Sequence, residues 1–429
     1  FGVQPLGCAV RRDALARHCL PGSGRWRQAV LMRLQTGVIQ VLLVFNFCPP
    51  AVARQADAVR SSHTTFGTSI IIDAIERWTW REGAAMILAP ETRKRVKAMK
   101  KTAAVIIAAS ALFALLSCNR AGSGRKTYRI AVIPKGTSSE FWKSIHAGAV
   151  KAAREISGQG TDVSVIWKGP LREDDREQQI QIVESFLSQH VDGIVLAPLD
   201  ERALVRPVEE AVQASIPIVI IDSALQSTKT LSYVATDNSR GGELAADRLG
   251  ALLNGKGKII LLRYQEGSAS THAREEGFLA RLKAAYPSIE VISSEQYAGA
   301  TRDTAKRASE NLLNRFGADV QGIFTPNESS TAGMLLALQD INKAGKIVLV
   351  GFDVTQTFID AIRAGQLQGI IVQNPFNMGY LGVKAMVDHL TGKPIQKLVD
   401  TGVNLITREN LDSPEMRMLL YPPIDQYLN

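Results

Sequence analysis

After Thr127, short runs of β-branched and aliphatic residues alternate with longer stretches whose apolar positions recur at helical spacing, and the whole series occurs twice. The first series places strands at 129–134, 163–167, 193–197 and 218–221. Helices lie between them, facing inward through Phe141, Ile145, Ala149, Ala152 and Ile156, then Ile180, Val183, Leu187 and Val191, then Leu204, Val208 and Val212. The second series predicts strands at 258–262, 290–292, 322–324, 347–351 and 369–372, with helices around 271–285, 303–316, 329–344 and 356–364. These strands are continuous apolar runs, not alternating ones. A strand reads that way when helices cover both of its faces, the usual condition of a parallel sheet. The expected fold class is α/β, with two Rossmann-like, doubly wound parallel-sheet lobes, each long enough for its own core.

The residues ahead of this series read differently. Met99-Lys100-Lys101 is a charged start, 102–116 is small and apolar throughout, and Leu115-Leu116-Ser117-Cys118 closes the run. These are the parts of a secretory signal. A cysteine directly after the cut is its lipoprotein variant, so Cys118 is the expected lipidation site. The run is shorter than the roughly 20 apolar residues that span a bilayer. Residues 119–126 form a polar tether, and 1–98 are expected to be an upstream extension from a mispredicted start, an added domain being the alternative. Up to Cys118 there are 16 Lys+Arg and 6 Asp+Glu, so of the chain's 50 and 41 only 34 and 35 remain beyond it. The net charge of +9 therefore belongs to the upstream part, and the two-lobed part carries no signature of nucleic-acid binding. Cys8, Cys19 and Cys48 also lie upstream, so no disulfide supports the lobes and their cores must do so.

No Walker-type loop is present, and no Gly-x-Gly-x-x-Gly follows the first strand, which argues against a phosphate-cradling site. His146, His190, His272 and His389 are scattered, and there is no Gly-x-Ser-x-Gly. Neither a catalytic nucleophile nor a metal site is expected.

Several local sequences coincide in order and spacing. They are Ile130-Ala131-Val132-Ile133-Pro134 with Glu140-Phe141-Trp142, Val191-Asp192-Gly193 through Pro198, Asp237-Asn238-Ser239-Arg240-Gly241-Gly242, Ala273-Arg274-Glu275-Glu276-Gly277-Phe278, Phe324-Thr325-Pro326-Asn327-Glu328 and Val350-Gly351-Phe352-Asp353. Together, from about Thr127 to about Arg408, they resemble the ribose/galactose-type periplasmic sugar-binding proteins, the substrate receptors of ABC importers. The resemblance implies a type I periplasmic binding protein fold with a three-segment hinge. Its lobes would be 127–236 plus 374–402, and 237–373 plus 403–429. It also implies a monomeric, lipid-anchored extracytoplasmic receptor that needs no cofactor and hands a monosaccharide or polyol to a membrane permease. The alternative partner is a sensor kinase or chemoreceptor reading a sugar or an autoinducer-2-like signal.

In that family an aromatic pair packs on the apolar face of the sugar, a role that falls to Phe141 and Trp142. Flat rings do this at low entropic cost. Asp222 and Asp353, each at a strand end, would accept from neighbouring hydroxyls, and Arg274 would donate from a rigid fork. Asn327 and Gln373 can donate and accept together, Phe352 would wall the pocket, and Lys135 and Trp167 would add a charge and a ring near the cleft. Other roles stay open: helix N-capping for the two aspartates, core packing for Phe141, a solvated surface position for Lys135. Ser139, Ala197, Ser223 and Ala300 stand where ribose receptors have asparagine, asparagine, arginine and an aromatic residue, and these losses point away from ribose itself. Lys135 resembles the lysine of autoinducer-2 receptors of this fold, whose second-lobe aspartate falls at Gly299. A transcription regulator of the sugar-repressor type shares the two-lobe core, but an export signal stands where its helix-turn-helix would be.

Overall fold

In the computed structural model, which describes residues 127–429 and two upstream strands, β3 (Tyr128–Ile133) shows why the apolar runs are unbroken. Ile130 and Val132 enter one hydrophobic cluster, whereas Ala131 and Ile133 enter another on the opposite face of the sheet. The upstream strands, β1 (Arg27–Val30) and β2 (Leu43–Asn46), form an antiparallel pair. They fall in a different unit of the chain from the residues that follow 114. The export signal at 99–118 with Cys118, the tether 119–126 and the rest of 1–98 lie outside the described residues.

The first lobe is built on β3, β4 (Val163–Trp167), β5 (Gly193–Leu196), β6 (Ile218–Ile221), β7 (Ser232–Ala235) and β13 (Leu398–Asp400). Their order is β13-β7-β6-β5-β3-β4 and every neighbouring pair is parallel. Helices α1 (Glu140–Gly158) and α9 (Pro375–Leu390) supply one face, with Ile145 and Met378 in its core. Helices α2 (Arg176–Ser188) and α3 (Val205–Gln213) supply the other.

The second lobe repeats the plan with β8 (Lys256–Leu261), β9 (Ser288–Ser293), β10 (Gly322–Phe324), β11 (Val348–Phe352), β12 (Gly369–Gln373) and β14 (Val403–Ile406). Their order is β14-β12-β11-β10-β8-β9, with only β14 antiparallel to its neighbour. Helices α4 (Asn238–Leu252) and α5 (Ala269–Ala285) cover one face. Helices α6 (Arg302–Phe316), α7 (Glu328–Asp340) and α8 (Gln356–Arg363) cover the other.

The chain passes between the sheets three times, from β7 to α4, from β12 to α9 and from β13 to β14. A further return follows at the end. The expected division gives 403–429 to the second lobe, and α10 (Pro414–Leu420) does bury Leu420 in that lobe's core. The last turn, α11 (Asp425–Leu428), lies instead against the first lobe. There Arg154 donates to the carbonyls of Gln426 and Tyr427 at 3.1 and 3.0 Å, and the rings of Tyr427 and Phe376 meet at 5.7 Å.

Strands β7, β13 and β14 were not expected. They are only three or four residues long, and β13 and β14 are half exposed, so each lacks the apolar run that marks a doubly covered strand. The helix expected to reach 344 stops at Asp340, with Asn342 in the left-handed region soon after (φ 54°). Among the described residues no helix is long and apolar enough to cross a membrane.

Candidate functional site

Asp222 and Asp353 occupy equivalent places in the two lobes, directly after β6 and β11. Both are left-handed, with φ of 64° and 67°. Each backbone N–H reaches the strand beyond, Asp222 to Val234 O at 3.1 Å and Asp353 to Ile371 O at 2.8 Å. A non-glycine residue there carries a strain of order 1 kcal/mol or more, and such strain collects at functional sites. Neither aspartate caps the helix that follows it: Thr355 caps α8, and no helix follows Asp222 closely. Asp353 does accept, through Oδ2, the backbone N–H of Glu328 at the start of α7 (3.1 Å), while Oδ1 takes Gln373 Nε2 at 2.7 Å.

Arg274 is fixed by glycines in two motifs. A Cβ on Gly242 would lie 2.0 Å from Arg274 O, and one on Gly277 would lie 2.3 Å from Ser239 O. Only glycine lets α4 and α5 approach this closely, backbone to backbone. The approach puts Asn238 Oδ1 2.8 Å from Arg274 Nε, and Nη1 donates to Pro326 O at 2.9 Å. Phe352 is fully buried beneath the guanidinium, whose central carbon sits 3.9 Å from the ring centroid. Burial pushes the Arg274 pKa down, with Asp353 and Asp222 opposing that shift. Two of its five donors are thus engaged within the protein. Asn327 is largely occupied as well, since it caps α7 by accepting Ser330 N–H at 3.3 Å and donates to Ser329 Oγ at 3.0 Å.

From the first lobe, Lys135 is buried, not solvated; its Nζ lies 2.9 Å from Asp222 Oδ2 and donates to Ser270 Oγ of the other lobe at 3.1 Å. The half-buried Phe141 meets Trp142 edge to face at 5.0 Å, lining the cleft and packing on the core at once. Trp142 is buried, and its Nε1–H donates to Glu173 Oε1 at 2.7 Å.

These side chains from both lobes enclose one cleft of about 520 Å³. Phe141, Trp142, Asp222, Arg274, Asn327, Asp353, Gln373, Lys135 and Ser139 all line it. Two expected residues do not. Trp167 leaves the cleft because it stacks on His146 (4.4 Å between centroids, 9° between planes), and Phe352 lies below Arg274 instead of facing the cavity. Ser139 Oγ, Ser268 Oγ and Gln373 Oε1 are buried, line the cleft and have no hydrogen-bond partner in the protein. Asp222 Oδ2 also lacks an aligned donor. Its contact with Lys135 is charge-to-charge, which holds the ammonium without satisfying the directional lone pair. Buried polar atoms are almost always paired, so four such atoms around one cavity mark where hydroxyl groups would complete the network. The lining contains no histidine or cysteine. Lys135 and Arg274 face the carboxyls of Asp222, Asp353 and Glu173, and burial pushes both Asp353 and Glu173 upward in pKa.

Sequence reasoning missed Glu173, Tyr264, Ser268, Ser270 and Arg302, all of which line the cleft. They lie in loops or first helical turns with no motif of their own. Only the Gly169-Pro170 turn before Glu173 hinted at a structured loop there.

A periplasmic binding protein domain matches residues 130–394. The chain is 30% identical over 321 residues to the ribose import binding protein RbsB of Bacillus subtilis (strain 168), covering 72% of this chain and 100% of that protein. It is also 30% identical to the D-allose-binding periplasmic protein of Escherichia coli (strain K12), covering 63% of this chain and 90% of the relative. Among solved structures, an ABC transporter solute-binding protein of Agrobacterium vitis with bound D-fucose superposes with a TM-score of 0.65 at 35% identity, covering 68% of this chain and 100% of that one. A carbohydrate transporter solute-binding protein of Agrobacterium radiobacter in complex with D-arabinose also gives 0.65, at 30% identity, covering 68% and 99%. With its two-sheet architecture and its inter-lobe cleft, the chain belongs to the periplasmic binding proteins, in the ribose-type branch of sugar-binding proteins with the type I fold.

Proposed function

We propose that this chain captures a neutral monosaccharide or polyol between its lobes and delivers it to an ABC-type permease, binding the ligand without turning it over. The observation that carries the reading is a set of buried oxygens from both lobes around one cleft: Ser139 Oγ from the first and Ser268 Oγ and Gln373 Oε1 from the second have no partner in the protein, and Asp222 Oδ2 of the first has only its ion pair with Lys135. Hydroxyls both donate and accept, so a polyhydroxylated ligand satisfies such a set. Relatives named for ribose import and for D-allose binding, and neighbours with bound D-fucose and D-arabinose, support the sugar class. Ribose itself fits less well. Ala197 is fully buried and contributes no polar side chain, and the Ser223 hydroxyl is engaged with Ser270 N–H at 3.1 Å.

A thermal-shift screen over neutral pentoses, hexoses, deoxyhexoses and polyols identifies the ligand. Addition of that ligand is expected to compact the protein in small-angle scattering, because only a ligand that prefers the closed form shifts the equilibrium. An unchanged radius at saturation would exclude capture by closure, and a best ligand that is an amino acid or peptide would exclude the sugar class.

We further propose that the receptor is held at a membrane through a lipidated Cys118, on the strength of the Leu115-Leu116-Ser117-Cys118 motif. One acyl chain binds a bilayer only marginally, so a multiply acylated anchor is implied. Cys118→Ala is expected to move the protein from the membrane fraction to the soluble fraction. Mass spectrometry of the purified protein showing an N-terminus ahead of Met99 would contradict this maturation. Genes for a permease and an ATPase beside this one would favour transport over delivery to a sensor kinase.

A further inference from the structure

The hinge crossings leave and enter the sheets at β7, β13, β12 and β14, which lie together at one end of each strand order. The opposite ends are β4 and β9. Glu173 lies in the loop after β4, and Tyr264 and Gln265 follow β8, the neighbour of β9. The two loops meet across the cleft. Tyr264 OH donates to Glu173 Oε2 at 3.0 Å, and Gln265 Nε2 donates to Glu173 O at 3.0 Å. On its own lobe the same carboxyl takes Trp142 Nε1–H at 2.7 Å. Its aliphatic stem rests over Gly136, where a Cβ would come within 2.8 Å of Glu173 Cγ.

We propose that Glu173 is a positioning residue that clasps the two lobes at the edge of the cleft remote from the hinge, and that the clasp favours the closed form whatever ligand is inside. The inference rests on the sugar-receptor reading for its ligands but not for its geometry. The cross-lobe bonds of the clasp involve no atom of Asp222, Asp353, Arg274 or Gln373. Tyr264 is buried, and its hydroxyl stays a donor because burial, with Glu173 alongside, holds its pKa well above the ordinary tyrosine range. The indole N–H of Trp142 orients the carboxyl toward that hydroxyl, so a residue expected to touch the ligand has a second task in closure.

The role has a signature that a direct contact lacks. Apparent affinity scales with the fraction of protein in the binding-competent form. Weakening the clasp therefore raises Kd by one common factor for every ligand, whereas removing a ligand contact raises it by a factor that depends on the ligand. The test uses the full chain and Tyr264→Phe, which deletes one hydroxyl and keeps the ring, with Glu173→Gln as the second variant. Calorimetry is run with D-arabinose, D-fucose, D-allose and D-ribose, and circular dichroism melts establish that both variants fold. We expect each sugar that binds the native protein to bind Tyr264→Phe more weakly by the same factor, roughly tenfold for a lost charge-assisted hydrogen bond. Unchanged affinities, or factors that differ among sugars by more than about threefold on the scale of a direct contact, would overturn the clasp. If none of the four sugars binds the native protein, these four are excluded as its ligands and the wider screen decides the sugar-receptor reading. The clasp is then decided by ligand-free scattering: a larger radius for both variants supports it, and an unchanged radius overturns it.

Discussion

Replacing Arg274 with alanine is expected to abolish measurable ligand binding and to lower the melting temperature by on the order of 10 °C. The guanidinium is buried, and its removal leaves Asn238 Oδ1 and Pro326 O without their donor and takes from Asp353 the cation that opposes its burial. Losing one partner of a buried charge network costs about 3–5 kcal/mol, and in a domain of this size each kcal/mol moves the melting temperature by roughly 2–4 °C. Arg274→Lys keeps a cation but cannot reach Asn238 and Pro326 together, because an ammonium lacks the planar fork. It should fold and still bind at least tenfold more weakly, the scale of one lost charge-assisted hydrogen bond. The exposed Lys256→Ala serves as the control. Calorimetry and thermal melts read both effects, and native-like binding by Arg274→Ala would remove the residue from the site.

The Lys135–Asp222 pair gives the second large effect. Both partners are buried, so Lys135→Met leaves an uncompensated carboxylate and Asp222→Asn an uncompensated ammonium. Asparagine tolerates the left-handed backbone at least as well as aspartate, so the second substitution isolates the charge from the strain. Each single variant is expected to lose about 3–5 kcal/mol of stability. The double variant should lose clearly less than their sum, since no unpaired charge remains and contacting residues couple by up to about 3 kcal/mol. Urea unfolding of the four proteins closes the cycle. Additive losses would mean that the 2.9 Å contact is not an energetic pair.

Much of the cleft was legible residue by residue. Asp222 and Asp353 could be placed because each directly follows an apolar strand, and ligands of open α/β sheets gather at such carboxyl ends. Phe141, Trp142 and Arg274 came from motif resemblance. The structure adds that Gly242 and Gly277 belong to the same device, since their missing side chains let α4 and α5 bring Asn238 to Arg274. Trp167 was misplaced because a strand-end aromatic can turn to either side of an edge strand, and here a stack with His146 captured it. Glu173 and Tyr264 are 91 residues apart in different lobes, so no local pattern could pair them.

What the sequence determined by itself is the repeating layer plan, because helical and strand periodicities are local and each apolar run must be covered on both faces. It also determined the residue chemistry available at the strand ends. The tertiary structure alone decided which of those side chains face one another across the cleft. It buried Lys135 against Asp222, tied Asn327 into a helix cap, and set Glu173 between Trp142 and Tyr264. Such pairings depend on how the two sheets are juxtaposed, and the chain crosses between them at short strands, β7, β13 and β14, whose sequences carry almost no periodic signal.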